Sequence, residues 1–197
     1  MKKPPRIRRD AAAAREHILA AAEQVLVDEG PLALKLAEVA SAAGVANATV
    51  LHHFESIDGL HAALMQRMTD QLVAAVLAAP APEDDHERAV EEVAKALFDV
   101  FETRGAARLA AWLELTGESK RLTHVREAVA AVVAERAGRG ALTVSQAQDL
   151  VLTSLMVAMG AGLFGASLAE LIGKPPSRAR NLASELLRDH AAKLKKR

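Results

Sequence analysis

Apolar residues recur every three or four positions along nearly the whole chain, with polar residues between them. That spacing places one apolar stripe along a helix. The first such run predicts a helix from about Asp10, a fitting cap, to Asp28, with Ile18, Ala21, Ala22, Val25 and Leu26 inward. Gly30-Pro31 stops it. A short second helix follows over about Leu36 to Ala43, with Leu36, Val39 and Ala40 inward. Gly44 suits the left-handed turn that ends a helix. A third helix is predicted from about Asn47 to His53. Ser56 caps a long fourth helix reaching about Ala79, its inward face carrying Leu60, Leu64, Met68, Leu72 and Val76.

Pro80-Ala81-Pro82 is the clearest break in the pattern. Beyond it the periodicity predicts helices at about 83–103, 106–116, 119–137, 143–172 and 177–195. Glycine-rich or proline-rich breaks at 138–140 and 173–176 separate the last three. No stretch alternates with period two, so no sheet is expected. The fold class is therefore all-α, with about nine helices.

Composition narrows the chemistry. The 197 residues include no cysteine and no tyrosine, which removes disulfides, thiolate nucleophiles and cysteine-ligated metal. No glycine-rich phosphate loop, His-Glu-x-x-His pair or serine elbow occurs, so neither an enzyme nor a cofactor is expected. His52 and His53 sit about 100° apart on a helix, poor geometry for one ion, so no metal site is expected either. The absence of cysteine fits a reducing cytoplasm, and the basic N-terminus lacks a following hydrophobic run, which argues against a secretory signal.

Charge is balanced overall but unevenly placed. Residues 1–9 form a basic arm of net +5, from Lys2, Lys3, Arg6, Arg8 and Arg9. Residues 10–60 carry Arg15 and Lys35 against eight carboxylates, a net −6.

A short helix, a glycine turn and a second short helix outline a helix-turn-helix, whose second arm lies in the major groove. The segment from Arg15 to Leu64 resembles the TetR family of bacterial regulators. The resemblance rests on ILAAAEQVLVDEG, LAEVASAAGV, TVLHHFES and Leu60 at their usual spacings. It implies an N-terminal unit (residues 10–55) that binds a palindromic double-stranded operator as half of a dimer. It also implies a C-terminal unit (56–197) that binds a small effector and holds the partner subunit. Asn47, Thr49, Leu51 and His52 would then meet bases, with Ala46 opening the helix, while Lys35, His53, Arg6, Arg8 and Arg9 would meet the backbone.

Several positions depart from the family's habit. Ala46 stands where Ser or Thr usually caps the third helix, and Asn47 is expected to cap instead. Leu51 replaces a tyrosine and Ile57 a lysine, both customary phosphate donors. Lys35 and Ala37 fall where Thr and Arg are common. An acidic head also forgoes much of the counterion-release term that drives DNA affinity. A second reading follows: a TetR-fold module that holds a ligand or a protein partner with weak or lost DNA binding.

Aromatics are scarce, and their grouping suggests a pocket. Phe98, Phe101, Trp112, Leu115, Thr116 and His124 fall on the helices after the break, with Met156, Met159 and Phe164 on the long apolar helix. They read either as ordinary core or as the lining of a site for a small hydrophobic effector. Leu150 to Ala169 has no charge and is long enough to cross a bilayer. Its alanine and glycine content favours a helix buried on both faces, so no membrane association is expected. The resemblance implies that 143–172 and 177–195 form a four-helix homodimer interface.

Overall fold

The computed structural model describes residues 6–79, 86–118, 123–138 and 142–195. Among these there are nine helices and no strand. They are α1 (Arg6–Glu29), α2 (Leu36–Ala43), α3 (Asn47–Phe54) and α4 (Ile57–Ala78). Next come α5 (His86–Phe98, continued by a π-helical turn Asp99–Thr103), α6 (Ala106–Leu115) and α7 (Thr123–Gly138). The long α8 runs from Val144–Gly160 through a π-helical turn Ala161–Gly165 into Ala166–Leu171, and α9 is Ser177–Lys195. Helix α1 starts at Arg6, ahead of the expected cap Asp10, so residues 6–9 of the expected arm are helical; residues 1–5 lie outside the described residues.

The chain divides into two compact units, with the break between Met65 and Gln66 inside α4. The expected 55/56 boundary falls earlier in the chain; the first turns of α4, on the first unit's side of the break, are core: Leu60, His61, Leu64 and Met65 are all buried. The Pro80–Pro82 segment lies outside the described residues.

In the first unit, Ile18, Leu19, Ala22, Val25 and Leu26 of α1 are buried, together with Val39, Ala40, Val50, Phe54, Leu60 and Leu64. Ala21 and Leu36, expected inward, are only half-buried; Leu19 and Ala43 take that role. Each fully buried Ile or Leu contributes about 1.5–3 kcal/mol relative to exposure.

The second unit centres on Ala94, Leu97 and Phe98 of α5, Ala158 of α8, and Ala183 and Leu187 of α9. The two π-helical turns meet here. A Cβ on Gly162 would lie 2.9 Å from the carbonyl oxygen of Phe101 and 3.1 Å from Cβ of Ala107, so only glycine permits this backbone approach. Thr143 starts α8 with a reciprocal cap: its Oγ1 accepts from the Gln146 amide while the Gln146 side chain accepts from the Thr143 amide.

Candidate nucleic-acid interface

Helices α2 and α3 meet at a turn built by Gly44, whose φ of 64° and ψ of 33° are left-handed. The Val45 amide donates to the Ala40 carbonyl at 3.0 Å, and the Gly44 amide to Ser41 at 3.1 Å. This double closure ends α2 and redirects the chain into α3.

Two histidines tie this hook to its supports. His61, only 4% exposed, has Nε2 2.9 Å from the Leu34 carbonyl. His17 of α1 has Nε2 3.0 Å from the Ala43 carbonyl. A carbonyl only accepts, so each Nε2 carries the hydrogen and donates. One bond fixes the entry to α2 beside Lys35, the other fixes its exit beside Gly44. Arg15 of α1 adds a third tie, its guanidinium lying over the Phe54 ring.

Helix α3 buries Val50 and Phe54 and exposes Asn47, Ala48, Leu51 and His52. Ala46 at its start is also exposed, and Thr49 and His53 are half-buried. The expected cap is corrected. Ala46 is the N-cap, with no side-chain hydrogen bond, and its carbonyl accepts from Thr49 at 2.9 Å and Val50 at 3.4 Å. Asn47 is therefore the first helical residue, its side chain on the exposed face. Lys35 is exposed in extended backbone at the start of α2. Arg6, Arg8 and Arg9 fall in the first turns of α1, and the phosphate role expected of them rests on side chains outside the described residues.

The joint between α3 and α4 is tight. Glu55 takes φ 65° and ψ −40°, the one non-glycine residue with positive φ among those described. The Ser56 amide closes back on the Phe54 carbonyl at 2.7 Å, making Glu55 the centre of a γ-turn. Ser56 caps α4 as expected, its Oγ accepting from the Gly59 amide at 3.0 Å. A Cβ on Gly59 would collide with the Phe54 carbonyl.

The C-terminal candidates do not gather. Phe98 is buried in the core, with the Arg180 guanidinium 5.4 Å from its ring centroid and Glu102 3.7 Å from Arg180. Phe101, Trp112 and Met159 are half-buried. Leu115 is 88% exposed, and the exposed Thr116 donates its hydroxyl to the Trp112 carbonyl at 2.9 Å, ending α6 rather than lining a site. His124 pairs with Asp70 at 2.6 Å. Met156 and Phe164, expected in the pocket, are 65% and 60% exposed. They belong to an outward stripe at four-residue spacing, Leu152, Met156, Gly160, Phe164, Leu168 and Ile172. Leu182 and Leu186 of α9 are exposed as well. Val144–Leu171 has the length and hydropathy to cross a membrane, yet only 11% of its most apolar window is buried within the chain. Among the described residues no group of three or more His, Cys, Asp or Glu side chains gathers where a metal could sit.

Sequence reasoning missed Arg15, His17, His61 and Glu55, because a lone charged or imidazole side chain carries no periodic signal.

A helix-turn-helix with an outward second arm, followed by a separate all-helical unit, defines the class of fold. Residues 18–64 match the family model described as bacterial regulatory proteins, tetR family. That match covers the head alone, from α1 into the first turns of α4, so the head is similar to the DNA-binding segment of that family and the rest of the chain lies outside the match. It is 35% identical over 88 residues to the HTH-type transcriptional activator FasR of Mycolicibacterium smegmatis, a match covering 45% of this chain and 40% of that protein. A transcriptional regulator from Rhodococcus sp. Rha1 has the same fold, with a TM-score of 0.72 at 22% identity over 91% of this chain and 95% of that one. A TetR variant from Acinetobacter baumannii AYE in complex with minocycline matches with a TM-score of 0.64 at 17% identity, covering 91% and 94% of the two chains.

Proposed function

We propose that the protein is a cytoplasmic, homodimeric transcriptional repressor that binds a palindromic operator and releases it on binding a small hydrophobic effector. The observation that carries this reading is the outward face of α3, which follows an α2 tied at its entry by His61 and at its exit by His17, and which Arg15 covers at its own end through Phe54. Asn47, Leu51 and His52 on that face would meet base edges, and Lys35 the backbone. Ligand response is supported by the neighbour solved with minocycline, and the half-buried Phe101, Trp112 and Met159 remain the candidate lining. The outward stripe of α8, with Leu182 and Leu186, supports a partner subunit packed against it, since an apolar face of that extent marks an interface. Two such heads would engage half-sites one helical turn apart.

A footprint on DNA upstream of the protein's own gene tests this at low salt. Protection of an inverted repeat is expected, with a reporter driven from that DNA falling when the protein is present. No protection, with residues 1–9 intact, would favour the second reading, a ligand- or protein-binding module with weak DNA affinity. Its support is the exposed carboxylates Glu16, Asp28, Glu29, Glu38 and Glu55, which repel phosphate. A rise in reporter output would instead make it an activator.

A further inference from the structure

We propose that α3 selects A·T base pairs, reading thymine methyl groups through Ala46, Ala48 and Leu51 and adenine through Asn47. This rests on the DNA-binding reading above and adds the class of base pair recognised.

Five side chains are exposed at the start and along the outer face of α3: Ala46, Asn47, Ala48, Leu51 and His52. Three of them are apolar, and Leu51, 39% exposed, is a large one. The face spans about 7.5 Å from Ala46 to Leu51 at 1.5 Å per residue, roughly two base-pair steps. The commonest guanine contact is a bidentate Arg or Lys on O6 and N7. Helix α3, NATVLHHF, holds neither residue, and Lys35 belongs to the start of α2. Asn47 matches the paired donor and acceptor that adenine offers in the major groove, N6 and N7. His52 can reach N7, which both purines present, and so does not discriminate between them.

The apolar trio then decides. An alanine or leucine pressed on a G·C edge strips water from a donor or acceptor and offers nothing in exchange. Pressed on a thymine it buries a methyl group.

The test begins with selection of the full-length chain on random-sequence duplexes, followed by uracil in place of thymine at single positions of the selected half-site. Uracil keeps the pairing and removes only the methyl. The expected result is A·T at two or more central positions of each half-site and an affinity loss of about four-fold per contacted methyl. Leu51→Ala should erase the thymine–uracil difference at one position; the side chain is exposed, so circular dichroism should show an unchanged fold. Half-sites fixed on G·C, or affinity indifferent to uracil, would overturn the inference while leaving DNA binding intact. Failure to enrich any sequence would overturn both.

Discussion

The guanidinium of Arg15 stands 4.9 Å from the ring centroid of Phe54. One residue lies on the first helix and the other ends the third, so the contact ties the end of α3 to α1. Phe54 itself is buried, so the guanidinium covers an aromatic face inside the head. Arg15→Ala should lower the stability of the head by about 0.5–2 kcal/mol, the range of such contacts from exposed to desolvated sites. Calorimetry measures it, and Arg15→Lys should recover only part of the loss because an ammonium stacks less well than a planar guanidinium.

The two histidine ties should differ in weight. His61 is buried, so His61→Leu leaves the Leu34 carbonyl without its donor and costs about 1–3 kcal/mol. His17 is more exposed, and water replaces it at Ala43, so His17→Ala should cost about 0.5–1.5 kcal/mol. Denaturant unfolding of both variants gives the order; equal costs would contradict the assignment of His61 as the buried tie.

Glycines on either side of α3 should respond unequally to alanine. Gly44 has open space around a built Cβ, and only its left-handed backbone resists, at about 1–2 kcal/mol. Gly59 has no such space, since its Cβ would collide with the Phe54 carbonyl and force the end of α3 to move. Gly59→Ala should therefore be the more damaging of the two in thermal melts. Glu55→Gly should raise stability by about 1 kcal/mol by relieving the γ-turn.

The outward stripe of α8 gives an oligomer prediction. The chain has a mass of 20.9 kDa, and light scattering on the native protein should return about twice that value. Phe164→Glu with Leu186→Glu places two carboxylates on exposed apolar positions and should return the single-chain mass with helix content retained. A native monomer, or an unaffected dimer in the double variant, would contradict the interface.

Much of this was legible in the sequence because helix periodicity is local. The spans of α2 and α3, the left-handed Gly44 and the Ser56 cap all follow from neighbouring residues. What escaped is what depends on distant partners. Met156 and Phe164 read as pocket or core because an apolar residue at helical spacing signals burial without saying against what. Both are exposed, so neither packs into the core of this chain. Asn47 was expected to cap, yet the carbonyl of Ala46 starts the helix, which makes Asn47 the first helical residue with its side chain on the exposed face. Both π-helical turns were invisible, since Gly162 and the Phe101 carbonyl are brought together only by packing.

The central claim is that the outer face of α3 lies against duplex DNA. The chain has no cysteine, so Ala48→Cys, His52→Cys and Leu115→Cys each create one labelling site. Labelled with an aryl azide and irradiated with the selected duplex, the first two should cross-link to DNA, while the exposed Leu115 position in the other unit should not. Equal cross-linking from all three, or none from positions 48 and 52 on a duplex the protein binds, would contradict the account.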